Sequence, residues 1–147
     1  MPNRKVLTPK VRPSSAKEVS VMAWIQDAFG NVLLVQQMAG EKLWSLPGGK
    51  VRSNEGLKQA LRRELKEEIG LALVSAQVID MFDRPQRTAL AVLFRVTLRK
   101  GTLKLGATEI KDAAFVSKLP SNATPSVRYF WNRQFPADKA KGHTLEL

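Results

Sequence analysis

The chain has 147 residues, of which 44% are hydrophobic, and this length suffices to bury a core as one globular domain. It has no cysteine and a single histidine, His143, which excludes disulfides, thiolate metal sites and histidine-rich zinc sites. A bound metal ion must therefore be held by oxygen ligands. The formal net charge of +11 favours polyanionic partners and solubility but carries no information about the fold.

The basic residues are concentrated towards both ends of the chain. Residues 1–17 contain five lysines and arginines and no acidic residue, and residues 118–141 contain five more basic residues. One interpretation is a partly disordered, solubilising tail at each end, and the other is an electrostatic funnel for phosphates. We predict a domain over residues 18–135, preceded by a basic segment at 1–17 and followed by a tail at 136–147.

No apolar run reaches the length of a signal peptide, or the roughly 18 residues that a membrane span requires. We therefore expect a soluble, cytoplasmic protein with no membrane partner. After residue 17 the pattern is strand-like, with two apolar runs around residues 27–31 that predict a β-hairpin. The next segment, residues 43–49, predicts a short strand that ends at its Pro-Gly-Gly sequence.

A helix is predicted from about Glu55 to Ile69, with Ser53 or Asn54 as its N-cap and Gly70 as the residue that ends it. Three β-rich runs and a short amphipathic helix are predicted downstream, at residues 76–82, 88–99, 112–120 and 126–135. The pattern is that of a mixed α/β domain.

The predicted helix places like charges beside its buried face. At about 100° per residue, its apolar stripe consists of Leu57, Leu61, Leu65 and Ile69. Glu64, Glu67 and Glu68 lie next to this stripe, and Glu64 faces Glu68 at a cost of about 0.2–0.5 kcal/mol. Three such carboxylates favour a cation among them, and hard oxygen ligands suit Mg²⁺ or Mn²⁺. The alternative is a charged surface whose glutamates pair with lysines from other elements.

The residues around this helix also match a known motif at fixed spacing. Gly49 is followed five residues later by Glu55, and after seven more residues the sequence Arg-Glu-Leu-Lys-Glu-Glu-Ile-Gly-Leu runs from Arg63 to Leu71. Residues 49–71 resemble the Nudix box, GX5EX7REUXEEXGU, in which U is an aliphatic residue. The strand pattern of residues 18–135 is similar to the Nudix fold, and this resemblance implies an α/β/α sandwich around a mixed β-sheet.

The resemblance implies a Nudix-type pyrophosphohydrolase. Such an enzyme cleaves the phosphoanhydride of a nucleoside diphosphate linked to another moiety, by attack of water at phosphorus. Bound Mg²⁺ or Mn²⁺ would make that water more nucleophilic and neutralise the diphosphate. The implied metal ligands are Glu64, Glu67 and Glu68, together with a backbone carbonyl of Gly48 or Gly49.

The same resemblance assigns three further roles. Glu55 and Arg63 are implied to orient the loop and the helix of the box. Glu109, six residues before Phe115, matches a further metal-binding carboxylate, and the alternative is a surface loop glutamate. We expect Glu64 to be the general base, although a residue from a separate loop is the alternative.

Two functions are consistent with this sequence. The first is hydrolysis of a small-molecule nucleoside diphosphate derivative. The alternative is a polyanion-directed protein that acts on or binds RNA 5′ ends, or highly phosphorylated small molecules, through its basic surface. The packed glutamates favour the enzyme, because a binding protein has no need of like charges packed together. RNA as a partner and a homodimer both remain open.

Overall fold

The computed structural model describes residues 16–136. Nearly all of the predicted basic N-terminal segment and C-terminal tail lies outside these residues, as does His143, and the predicted domain boundaries stay predictions. No helix within residues 16–136 is long and apolar enough to cross a membrane. In chain order the elements are β1 (Glu18–Trp24), β2 (Val32–Gln37), β3 (Trp44–Ser45), β4 (Gly48–Lys50), α1 (Leu57–Ile69), β5 (Leu73–Arg84), a 3₁₀ turn (Pro85–Arg87), β6 (Ala89–Leu98), β7 (Ile110–Val116) and α2 (Pro125–Gln134).

The strands form two sheets. One has the order β4-β1-β6-β5 and is mixed, because β1 runs parallel to β6 while the β1–β4 and β5–β6 pairs are antiparallel. The other has the order β3-β2-β7 and is antiparallel throughout. The predicted mixed sheet is therefore confirmed.

Two hydrophobic cores lie on opposite faces of the strands. Side chains alternate between the faces of a strand, so β2 buries Leu33 in the core beneath α1 and Leu34 in the core beneath α2. From the helices, Leu65 joins the first core and Phe130 joins the second. One helix thus covers each side of the sheets, which confirms the predicted α/β/α sandwich.

The predicted hairpin is only partly correct. Its turn is present, since the Asp27 carboxylate accepts hydrogen bonds from the backbone N–H groups of Phe29 and Asn31, both at 2.9 Å. The two strands, however, meet only at a bridge between Gln26 and Val32 and then enter different sheets. The reason is that β4 and β6 occupy both edges of β1, so β2 pairs instead with β3 and β7.

The start of α1 also differs from the prediction. The helix begins at Leu57, and its N-cap is Gly56, not Ser53 or Asn54. The backbone N–H of Gly56 donates to the Gln59 side chain at 2.7 Å, which supplies the local capping contact. At the other end, Gly70 ends the helix in the left-handed conformation with φ of 71°, as predicted.

The buried face of α1 differs from the predicted stripe in the first turn. Leu61, Leu65 and Ile69 are fully buried, as is Ala60, whereas Leu57 is 38% exposed. Ala60 is therefore the buried residue of the first turn in place of Leu57.

Candidate metal and catalytic site

The loop and the helix of the motif meet where β4 packs against α1. Antiparallel pairing places Gly49 opposite Val21 of β1 and fixes its position in the sheet. A Cβ atom at Gly49 would lie 2.5 Å from the carboxyl carbon of Glu64. This position therefore needs a glycine in order to leave room for that carboxylate.

Three carboxylates converge beside this contact. Glu64, Glu67 and Glu109 each offer one oxygen, and these oxygens all lie within 4.8 Å of one another. We call these three residues the carboxylate cluster. Glu67 and Glu109 are exposed, whereas Glu64 is partly buried. Three convergent, negatively charged oxygens are suitable donors for a hard divalent cation such as Mg²⁺ or Mn²⁺.

Glu109 reaches the cluster because its loop is attached to α1. The loop, residues 99–109, folds against the C-terminal end of the helix, where the backbone N–H of Gly106 donates to the carbonyl of Glu68 at 3.0 Å. The backbone N–H of Glu109 donates to the Gly106 carbonyl at 3.1 Å. The backbone carbonyl of Glu109 accepts from the backbone N–H of Met38 at 2.8 Å. These bonds fix the backbone on both sides of the Glu109 side chain.

Glu68 lies beneath the cluster and is only 3% exposed. Its carboxylate accepts a hydrogen bond of 2.6 Å from the backbone N–H of Gly48. Burial raises the pKa of Glu68 to about 8, an effect that the Gly48 bond opposes and the nearby cluster carboxylates reinforce. The group with oxygens within 4.8 Å does not include Glu68, so its role as a ligand stays a prediction.

Arg63 connects the loop to the helix. Its guanidinium donates to both carboxylate oxygens of Glu55, at 2.8 and 2.9 Å, to Glu64 at 2.7 Å and to the carbonyl of Lys50 at 3.0 Å. Hydrogen bonds from Arg63, and then from the backbone of Arg52, lower the pKa of Glu55 to about 2. For Glu64, burial raises the pKa although Arg63 opposes this shift. Glu55 and Arg63 thus occupy the positions needed to orient the loop against the helix.

Two contacts of the site were missed by sequence reasoning. These are the bond from the Gly48 N–H to Glu68 and the bond from Arg63 to the Lys50 carbonyl. Both use backbone groups, which every position of a chain offers, so no residue type signals them.

The motif and the strands around it match the model of a known protein family. A model of the NUDIX domain matches residues 16–126, which include the motif, all seven strands and the loop that carries Glu109. The chain belongs to the NUDIX family.

The NUDIX chain is similar to several curated proteins. An 8-oxo-dGTP diphosphatase from Proteus vulgaris is 36% identical over 100 residues, which are 65% of this chain and 86% of that protein. The protein of the same name from Haemophilus influenzae is 36% identical over 73 residues, 48% of this chain and 54% of that one. An RNA pyrophosphohydrolase from Teredinibacter turnerae is 34% identical over 55 residues, 37% of this chain and 32% of that one. The alignments thus span about half or less of the length of the last two relatives.

Among solved structures, the NUDIX chain resembles a MutT NUDIX hydrolase from Burkholderia pseudomallei. The TM-score is 0.69 at 24% identity, with 77% of this chain and 94% of that chain covered. A MutT protein from Methanosarcina mazei gives a TM-score of 0.66 at 26% identity, with 84% of this chain and 96% of that chain covered. These similarities establish the fold.

Proposed function

We propose that this chain is a metal-dependent hydrolase that cleaves a phosphoanhydride bond of a nucleotide derivative. The supporting observation is the carboxylate cluster, whose three oxygens lie within 4.8 Å of one another. The guanidinium of Arg63 contacts Glu64 at 2.7 Å and Glu67 at 3.5 Å, but it carries one positive charge against three negative ones. Without a further cation the carboxylates would repel one another and also repel a phosphorylated substrate. Membership of the NUDIX family and the names of the relatives, diphosphatase and pyrophosphohydrolase, support the same bond as the target.

Glu64, Glu67 and Glu109 would hold Mg²⁺ or Mn²⁺, with Glu68 and the carbonyl of Gly49 as further ligands. When bound, such an ion lowers the pKa of a coordinated water and neutralises charge on the phosphates.

The general base in this proposal is Glu64. Arg63 donates a hydrogen bond to only one of its carboxylate oxygens, Oε1. The other oxygen is therefore available to take a proton from the attacking water. Glu55 orients the guanidinium of Arg63, which in turn fixes the direction of Glu64.

The first candidate substrate is a small-molecule nucleoside diphosphate derivative. A second candidate is the 5′ end of RNA, because the chain carries a net charge of +11 and is similar to an RNA pyrophosphohydrolase. Assays of nucleoside triphosphates, nucleoside diphosphate conjugates, triphosphorylated RNA and inositol pyrophosphates with Mg²⁺ or Mn²⁺ would compare them by kcat/KM.

The metal-site assignment is tested by Glu67→Gln. Turnover of the best substrate should fall at least about 100-fold, because even residues that only support a metal ligand contribute about 10–100-fold. EDTA should abolish turnover of the wild type.

The control is Glu41→Gln, which removes an exposed glutamate outside the cluster and should leave turnover unchanged. Circular dichroism should show that both variants are folded. Full activity of Glu67→Gln, or wild-type activity that persists in EDTA, would refute the assignment.

A further inference from the structure

A second charged feature lies at the C-terminal end of α1. A pocket of about 280 Å³ there is lined by four basic residues, together with residues 70–72 and 101–102. We call it the basic pocket, and its cations are Lys66, Arg99, Lys100 and Lys104.

The positive charge of the basic pocket is not neutralised locally. No acidic residue lines the pocket. Among residues 16–136, none of the ion pairs involves any of its four cations. Four like charges around one cavity are unfavourable on their own, and an anionic ligand relieves their repulsion. Phosphate groups match such a set of lysine and arginine donors.

The pocket is built on fixed backbone. The N–H of Arg99 donates to the carbonyl of Ala72 at 2.9 Å, and the N–H of Lys104 donates to the carbonyl of Ile69 at 2.8 Å. The same loop then continues to Glu109 in the carboxylate cluster. The basic pocket and the cluster are therefore two ends of one loop that is attached to one helix.

The basic pocket and the carboxylate cluster lie at different points along α1. Gly70, at the pocket, lies six residues after Glu64, which corresponds to about 9 Å along the helix axis at about 1.5 Å per residue. Lys66 is also turned by about 160° from Glu64 around that axis, at about 100° per residue, so the two sites are further apart than the axial distance. An extended chain such as an oligonucleotide can contact both sites.

We propose that the basic pocket binds backbone phosphates of a single-stranded RNA whose 5′ phosphates lie at the carboxylate cluster. This proposal rests on the proposed hydrolysis and selects its second candidate substrate. The pocket would hold the chain a few nucleotides downstream of the cleaved bond, and so would favour polynucleotides over mononucleotides.

The test compares two triple variants with the same net charge. Arg99→Gln/Lys100→Gln/Lys104→Gln removes three pocket cations. The control removes three exposed cations elsewhere, as Lys58→Gln/Arg87→Gln/Lys118→Gln. Binding is measured by fluorescence polarisation in Mg²⁺ with a 3′-labelled RNA pentamer, and both probes carry a non-hydrolysable 5′ triphosphate analogue, which prevents turnover. A labelled nucleoside triphosphate is the second probe.

The pocket variant should bind the pentamer at least about tenfold more weakly than the control variant. The slope of log K against log salt should decrease in magnitude by about 2, since each lost contact with a single strand removes ~0.7. For the nucleoside triphosphate, the two variants should have the same Kd within about twofold.

Equal loss of pentamer binding in both variants would overturn the proposal, because only overall charge would then matter. Equal loss with both probes in the pocket variant would also overturn it, since the pocket would then hold the phosphates of the nucleotide itself. Should the triple variant melt below the wild type, Lys100→Gln/Lys104→Gln replaces it. Hydrolysis is scored separately, so a wild type that binds RNA through the pocket without cleaving any substrate refutes the proposed function alone.

Discussion

Arg63 shows how much of this site depends on the shape of one side chain. Its planar guanidinium contacts Glu55 with two parallel bonds and also reaches Glu64 and the carbonyl of Lys50. A lysine offers one compact charge without this fixed fork of donors, so it cannot maintain all of these contacts. We therefore expect the orientation of the loop, the helix and the candidate base to depend on arginine at this position.

At Gly49, we predict a loss of activity with little loss of stability on substitution by alanine. The added Cβ would meet the carboxyl group of Glu64, which is the flexible end of a side chain and can move aside. In a Glu64→Gln background, Gly49→Ala should then reduce kcat much less than in the wild type, because both changes act on the same carboxylate. Measured kcat and urea unfolding of the two single variants and the double variant check this expectation. Additive effects on kcat would show that Gly49 acts independently of Glu64.

At the scale of elements, α1 carries its core side chains and its candidate site side chains on different faces. Leu61 and Leu65 lie in the core while Glu64 and Glu67 lie beside it, so the core fixes the rotation of the helix and thereby the direction of its carboxylates. The loop of residues 99–109 then supplies the third carboxylate from outside the helix.

A matched pair of leucine truncations measures this anchoring. Leu65→Ala should lower the free energy of unfolding by about 2–5 kcal/mol, because Leu65 is fully buried and its loss leaves a cavity. Leu57→Ala, in the same helix but 38% exposed, should change it by less than about 1 kcal/mol. Urea unfolding of both variants provides the measurement. Similar losses in the two variants would mean that Leu57 contributes as much to stability as Leu65, which its exposure contradicts.

The helix and most strands could be predicted from local patterns, because Gly70 and the apolar periodicity act through neighbouring residues. The separation of β1 from β2 could not, since it depends on the β1–β6 pairing between segments about 70 residues apart. The sequence predicted that a strand ends at Gly48 and Gly49, whereas β4 begins there, because two glycines carry no strand preference and only the pairing with β1 orders them.

Part of the site could likewise be predicted from the sequence, and part could not. The motif and a spacing rule identified the residues of the carboxylate cluster, including Glu109, which lies far from α1 in sequence. The basic pocket could not be predicted because its four cations come from a helix and a distant loop, which only the fold brings together. The run Arg99-Lys100 followed by Lys104 was the available signal.

For the whole molecule, the main electrostatic feature is an acidic cluster within a chain of net charge +11. Basic surface attracts phosphorylated molecules from a distance, within a Debye length of about 8 Å at physiological ionic strength. The cluster would repel the same molecules at contact unless a cation intervenes. In the proposed function, metal binding and substrate binding are therefore coupled through charge, and we expect metal also to affect global stability.

The stability of the whole chain therefore provides the last prediction. Millimolar Mg²⁺ or Mn²⁺ should stabilise the wild type by mass action, by about 2.7 kcal/mol at a hundredfold excess over the Kd. If Glu68 is a ligand, Glu68→Gln should lose most of that gain. In EDTA this variant should be as stable as the wild type or more stable, because it removes a buried carboxyl group surrounded by like charges.

The glutamine side chain can still accept the hydrogen bond from the Gly48 N–H, so above pH 8, where the Glu68 carboxyl group is charged, this comparison isolates the charge. Thermal melts of both proteins, in EDTA and with metal, supply the four values required. Glu41→Gln is the matched control and should show the full metal shift. Parallel metal shifts in the wild type and Glu68→Gln would remove Glu68 from the ligand set and leave the three residues of the carboxylate cluster to hold the ion.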